Sequence, residues 1–422
     1  MHRCSGLTRI SFLLLFGLAG PGCGDPPAPR ADPIGHTREA DTIGAFERPE
    51  ALVAGASRRL ADSIGAADVG QDFGVPDSRA PYPDTYWPYV YEGTDWRWNP
   101  RGSDPRSPIE KYMVITAPYA MDAARAWEHR NHGTGVSGVA PWYGHCPGWA
   151  AAATSNAPIL HPVLAGADGM GGIMPCLEGQ PGCVRFEIGD VNALMAEIYV
   201  DGPASYIGGF CNAKPSDIPR DQHGRVLREG CDGVNAGSLL VAVATLLRRY
   251  QTPFVIDVQR PSATDEIWNQ PAYRYHVYDY HPLTTSEAAN LVARGATTGA
   301  ETLYRWNAAA RGFAFVDLGI RFVGEVSPQL VFSAPGNRAR YELRVATVIE
   351  LDADPASPGA SIIGGEYLDL PASHADRLTV PPFLWMSQGP GREDLRWDVG
   401  GAHHNPYVRP SLVKQLMALG QW

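Results

Sequence analysis

Trp142-Tyr143-Gly144-His145-Cys146-Pro147-Gly148-Trp149-Ala150-Ala151-Ala152-Ala153 is the stretch that decides how this chain is read. Pro147 suits the first turn of a helix, where a backbone N–H would be unpaired anyway, and the alanines carry the helix onward. Cys146 is therefore expected at the N-cap of a helix over Pro147 to Ala153. A thiol placed there faces unpaired N–H groups and the positive end of the helix dipole, which favour thiolate. The same N–H groups suit an oxyanion formed when the thiolate attacks a carbonyl. Trp142 and Trp149 flank the sulfur and would wall it against water, and His145 adjoins it. A buried cysteine capping a core helix is the plain alternative. The Gly-His-Cys-Pro helix start and the two tryptophans favour a nucleophile.

Working outward, Ala117 to Arg130 reads as a helix, with Met121, Ala124, Trp127 and His129 at helical spacing and His132-Gly133-Thr134-Gly135 as its stop. Further helices are expected from Val191 to Tyr199 and from Ser238 to Tyr250. Strands follow at Phe254 to Val258, Tyr273 to Tyr280, Phe313 to Val326 and Ala339 to Leu351, where Tyr341-Glu342-Leu343-Arg344-Val345-Ala346 alternates with the period of a half-buried strand. Helices crowd the first half and strands the second, so the class is α+β with a strand-rich C-terminal half.

The chain has 422 residues, 44% hydrophobic and only 19% charged, which excludes wholesale disorder. Acidic residues outnumber basic ones 45 to 35, for a formal charge of −10, and no Lys/Arg block appears, so no nucleic-acid partner is expected. Arg3, Arg9 and the apolar run Ile10 to Ala19, too short to span a bilayer, read as an export signal. Gly20-Pro21-Gly22-Cys23 resembles a bacterial lipoprotein cleavage site. The expected divisions are a signal peptide over 1–23, a largely disordered linker over 24–81, and a globular domain over 82–422, which starts where aromatic density jumps at Tyr82. An outer-membrane or cell-surface lipoprotein, or a secreted protein, is expected, touching membrane only through an N-terminal lipid. Cys4 leaves with the signal and Cys23 would carry the lipid, so five of the seven cysteines are left to pair. The economical arrangement pairs Cys176 with Cys183 and Cys211 with Cys231, one of the three pairings that four cysteines allow, and leaves Cys146 as the free thiol.

Glycine, cysteine, aromatic and helix in this order resemble papain-like and transglutaminase-like nucleophile segments. Further along, Ile267-Trp268-Asn269-Gln270-Pro271-Ala272-Tyr273-Arg274-Tyr275-His276 closely resembles the recognition peptide of the oomycete transglutaminase elicitors. Bacterial relatives of that family carry a Trp-x-Gly-His-Cys-x-Gly-Trp-Ala-Ala segment, matched at Trp142 to Ala151. Tyr86-Trp87-Pro88, Ser107 to Tyr112, His132 to Gly138, Phe254 to Asp257, Gly364-Gly365-Glu366 and Phe383-Leu384-Trp385 fit as well, so the resemblance covers Tyr82 to Trp422. It implies a papain-like or transglutaminase-like catalytic core and a protein-glutamine γ-glutamyltransferase, in which a cysteine thiolate attacks a glutamine carboxamide, ammonia leaves, and an amine or water takes the acyl group. The implied partners are a glutamine-bearing protein or peptide and an amine donor. Trp142, His145, Trp149, Trp268, Asn269 and Gln270 are the candidate substrate-binding residues.

Under that resemblance Cys146 is the nucleophile, and the orienting acid is Asp190 or Asp257. Asp190 also suits an N-cap of the helix after it. The base departs from the pattern. Relatives read Cys-Arg-Asp-x-Asn-Pro-Gly-Ala-Phe-His, and the counterpart here, Cys231-Asp232-Gly233-Val234-Asn235-Ala236-Gly237-Ser238-Leu239-Leu240, ends in leucine, which can move no proton. Substitutes are His276, His145 and His223. A cysteine peptidase or amidase on the same scaffold and a non-catalytic binding relative are the rival readings. No cofactor is expected. Calcium stays open without a loop of alternating Asp/Asn ligands, and the adjacent His403 and His404 point in different directions, unlike a metal pair.

Overall fold

The computed structural model describes residues 43–44, 47–209, 217–219, 231, 233–258, 266–293, 303–332, 340–368, 380–393 and 403–421. Along the chain run α1 (Pro49–Leu52), α2 (Leu60–Ser63), β1 (Asp72–Gly74), α3 (Pro108–Thr116), α4 (Met121–His132), α5 (Cys146–Ser155), β2 (Val163–Ala167), β3 (Ile173–Pro175), β4 (Val184–Phe186), α6 (Ile188–Tyr199), β5 (Ala204–Gly208), α7 (Ala236–Val243), β6 (Phe254–Asp257), β7 (Asn269–Leu283), α8 (Thr285–Val292), β8 (Gly312–Val323), β9 (Arg340–Leu351), β10 (Ile362–Tyr367), β11 (Phe383–Ser387) and α9 (Pro410–Leu419). The mixed class expected from sequence holds, and the long strands do fall in the second half.

Local chemistry sets several of these boundaries. Ser107 and Glu110 exchange side-chain and backbone hydrogen bonds at the start of α3, with Pro108 at its first position. Thr284 and Glu287 repeat that reciprocal cap on α8. At the end of α7 the chain runs on through a π-helical turn over Ala244–Arg249, so the helix expected to reach Tyr250 is present but changes its winding.

One antiparallel sheet has the order β10-β9-β8-β7-β6-β11-β5, and β2 joins β3 and β4 in a smaller one. β6 covers the first part of one edge of β7, pairing Asp257 with Asn269 and Phe254 with Ala272. β1 takes over the same edge farther on, pairing Gly74 with Arg274 and Asp72 with His276. Strand alternation then sorts the core. Ile256 and Leu384 face one layer with Leu240 and Val243 of α7. Val255 and Trp385 face the other, with Cys146 and Ala150 of α5 and Leu194 and Ile198 of α6.

The linker expectation needs correction. Its residues up to 42, like those of the expected signal peptide, lie outside the described residues, but from Pro49 onward the segment is part of the fold. Leu52, Leu60, Ile64, Val75 and Ala80 are buried in the same core as Ile256 and Val277. Sparse apolar residues in a Pro/Ala/Gly/Asp-rich setting read as a tether, yet they suffice when each lands in an existing hydrophobic layer.

Candidate active site

Helix α5 starts one residue earlier than expected: His145 is its N-cap and Cys146 its first residue, with Pro147 next. Its close packing on α6 is made possible by Gly148, where a Cβ would come within 1.9 Å of the Ala196 carbonyl oxygen. Cys146 is 0% exposed. Its sulfur lies 3.8 Å from the Ile267 carbonyl oxygen and accepts a weak hydrogen bond from Asn269 Nδ2 at 3.5 Å. Trp385 Nε1 donates to Asn269 Oδ1 at 2.8 Å, which fixes the amide so that its NH2 group is the end facing the sulfur. The Trp-Asn-Gln-Pro peptide therefore meets the helix start.

Asp257 stands directly opposite Asn269 in the β6–β7 ladder and is fully buried. One carboxyl oxygen accepts the Trp268 N–H at 2.8 Å; the other has no partner among the described residues. Burial pushes its pKa up to about 7, against the backbone N–H groups of Trp268 and Val258, which lower it. A carboxyl group poised near neutrality beside the residue that touches Cys146 can exchange a proton at ordinary pH.

The thiol itself is not as expected. Cys176 and Cys183 form the anticipated bridge, but Cys146 is also disulfide-bonded, as is Cys231. Cys211 lies outside the described residues. The expectation of a free, accessible Cys146 is thus corrected on both counts: the sulfur is sealed by packing and has no proton while oxidised.

The remaining candidates divide. Asp190 sits inside α6, where it accepts the Glu187 N–H at 2.7 Å and so helps cap the helix from its third position. Its other contacts are Lys111 Nζ at 2.6 Å and Trp98 Nε1 at 2.9 Å. Burial raises its pKa although the Lys111 ammonium works the other way. Those contacts are a lysine and a tryptophan, not an imidazole. His276 pairs with Asp72 at 2.9 Å. It stands seven residues along β7 from Asn269, roughly 23 Å at about 3.3 Å per residue, too far to serve the sulfur. Leu240 is buried in the layer of Ile256, whereas Cys146 lies across the sheet in that of Val255, so an imidazole in place of Leu240 would not face the sulfur either. His223 lies outside the described residues.

Among the substrate-binding candidates, Trp149 is core: 1% exposed, it packs with Trp87, Ala193 and Ala196. Gln270 turns to the opposite face and donates to Glu325. Trp142 stays half-buried, edge-on to Tyr143. Trp268 also stays half-buried, edge-on to Tyr86. A groove of about 610 Å³, lined by Arg101, Leu160, Arg185, Glu187, Leu330 and Val331 among others, includes none of Cys146, Trp268 or Asn269.

His145 turns away from the expected substrate side. Its Nε2 lies 2.9 Å from Glu197 Oε2 and 3.1 Å from His132 Nδ1, with Glu128 completing the group at 3.9 Å. All four residues are at most 1% exposed. Glu128 and His132 are one helical turn apart on α4, a spacing visible in sequence; Glu197 carried no signal of its own. His403 and His404, expected to diverge, both reach the Asp201 carboxylate, at 3.3 and 2.8 Å.

A model of the transglutaminase elicitor family matches residues 119–405, a span that holds both motifs. The chain belongs to the transglutaminase elicitor family. Its fold is similar to the crystal structure of the GP42 transglutaminase from Phytophthora sojae, with a TM-score of 0.61 at 19% identity, covering 90% of this chain and 98% of that one. No curated protein matches it. The elicitor-family match starts inside the region delimited from sequence, after Tyr86-Trp87-Pro88 and Ser107 to Tyr112, yet the structural likeness reaches well beyond it. Among the described residues no helix is long and apolar enough to cross a membrane.

Proposed function

We propose that this protein is a transglutaminase-type acyltransferase with a papain-like arrangement, in which Cys146 is the nucleophile once its sulfur is reduced. The observation that carries the reading is the meeting of the α5 N-terminus with Asn269 at the Cys146 sulfur, within a chain of the transglutaminase elicitor family. A thiol reductant attacks the disulfide, Cys146 leaves as thiolate, and the resulting mixed disulfide is resolved by a second thiol of the reductant. The thiolate then adds to a glutamine carboxamide carbon; the C–N bond breaks and ammonia departs with a proton. An amine next attacks the thioester and Cys146 is released. Backbone N–H groups at the start of α5 stabilise the tetrahedral oxyanion. Asn269 orients the sulfur, and Asp257 is the group assigned to carry the proton. Export into an oxidising compartment, with or without a lipid on Cys23, agrees with the Cys176–Cys183 bridge.

A specific observation favours a second reading, a non-catalytic relative that binds glutamine-bearing surfaces: Cys146 is fully buried and oxidised. Incorporation of a fluorescent primary amine into a glutamine-bearing peptide, with and without dithiothreitol, separates the two. The acyltransferase reading expects reductant-dependent incorporation by the wild type and background with Cys146→Ala. Background in both, with the wild type folded and its Cys146 alkylatable after reduction, leaves the binding reading.

A further inference from the structure

We propose that Glu128, His132, His145 and Glu197 bind one divalent first-row transition-metal ion of the zinc class, in a closed site behind the N-terminus of α5. Three helices converge to make it. Glu128 and His132 project from one face of α4, His145 is the N-cap of α5, and Glu197 comes from α6. One donor atom from each residue lies within 4.8 Å of the other three. Ligands at about 2.0–2.2 Å around a tetrahedral ion stand roughly 3.3–3.6 Å from one another. The contacts of His145 Nε2 with Glu197 at 2.9 Å, with His132 Nδ1 at 3.1 Å and with Glu128 at 3.9 Å, and of His132 Nδ1 with both carboxylates at 3.5 Å, lie on either side of that range.

Proton counting points the same way. At most one of two facing ring nitrogens can hold a hydrogen toward the other, so a second proton there would set donor against donor. The Thr94 hydroxyl lies 2.8 Å from Glu128 Oε1 and 2.9 Å from Glu197 Oε2, yet has a single proton to give. The Thr94 N–H supports Glu128, and Asn405 supports both carboxylates through its backbone N–H and side-chain amide. These are the outer partners that orient carboxylate ligands, and they hold the same oxygens that face the two imidazoles. Two carboxylates buried together are costly without a compensating cation.

The donor set selects the ion. Two imidazoles with two carboxylates suit zinc, cobalt, iron or manganese, whereas calcium and magnesium prefer oxygen alone. Four protein ligands with no exposed edge make the role structural. The backbone at Gly93, with φ +54°, runs so close that a Cβ there would meet Glu128 Oε1 at 2.7 Å and His145 Cε1 at 3.1 Å. A bound ion would tie α4, α5 and α6 together and fix the residue before Cys146. It enters no chemical step.

The test uses the full mature chain without a histidine tag, stripped with a chelator and then titrated with Co2+ and with Zn2+. The proposal expects about one equivalent of Co2+ per chain, visible d–d absorption of a tetrahedral ion, displacement by Zn2+ but not by excess Ca2+, and a higher melting temperature on loading. Glu128→Gln and His132→Gln should each abolish the absorption. A stripped chain that keeps its circular dichroism and takes up no Zn2+ or Co2+, or one whose binding both substitutions leave unchanged, overturns it in favour of a proton-shared cluster. Should the variants not fold, titration and metal content of the wild type decide alone, independently of transferase activity.

Discussion

Lys111 and Asp190 meet at 2.6 Å with side chains 1% and 0% exposed, one link of a polar thread between α3 and α6. Lys111→Met removes the cation and leaves a buried carboxyl without its strongest partner, a change that typically costs about 3–5 kcal/mol. Urea unfolding should show a loss of that size, and one below about 1 kcal/mol would contradict a structural role for the pair. Asp257 makes a prediction of opposite sign. Its folded pKa of about 7 lies above the unfolded value of roughly 3.9, so its protonated form adds stability that is complete below about pH 4 and lost as pH rises toward 7. Asp257→Asn should therefore match the wild type near pH 4 and exceed it by roughly 2–4 kcal/mol at pH 8. Asp84, also raised to about 7 by burial, is common to both chains and cancels. Equal unfolding midpoints at pH 8 would refute the assignment. At this scale the sequence disclosed Cys146 at a helix start, because Gly-His-Cys-Pro is a local signal. It could not disclose the disulfide on Cys146 or the turn of His145 toward Glu197, which depend on residues brought together only by the fold.

Helix α5 lies against α6 because Gly148 has no side chain to keep them apart. In an exposed helix Gly→Ala gains about 1 kcal/mol. Here the new methyl would meet the Ala196 carbonyl at 1.9 Å, so the helices must separate, with the typical overpacking cost of about 1–3 kcal/mol or more. Gly148→Ala should lower the melting temperature, and a rise would show that the contact yields freely. The longer elements were legible from period and punctuation: α4 and its glycine stop, α6, α7, and the strands β6, β8 and β9 within a few residues. β7 was recognised only in its middle; Pro271 and Pro282 lie near its ends, and proline, which cannot donate to a sheet ladder, weakens the strand signal there. The short strands β1 to β5 carry too few residues to show a period, and β10 and β11 acquire theirs from neighbours in the sheet.

Taken whole, the molecule folds its N-terminal approach into the same core that supports the Cys146 layer. The jump in aromatic density at Tyr82 marked a real change of composition but not the edge of the fold, because burial is decided by where a few side chains land. Leu52, Leu60, Ile64 and Val75 are each at most 5% exposed. At roughly 1.5–3 kcal/mol apiece their burial is worth about 6–12 kcal/mol, as much as the whole net stability of a typical domain. Their segment also covers the edge of β7 at Arg274, Tyr275 and His276, whose backbone would otherwise offer a template for strand pairing. A chain beginning at Tyr82 is therefore expected to lose cooperative unfolding and to associate, whereas one beginning at Ile43 should unfold as the full chain does. Size-exclusion chromatography and denaturant melts followed by circular dichroism compare them directly. If the shorter chain stays monomeric and unfolds at the same midpoint, the approach segment is a passenger and the core closes without it.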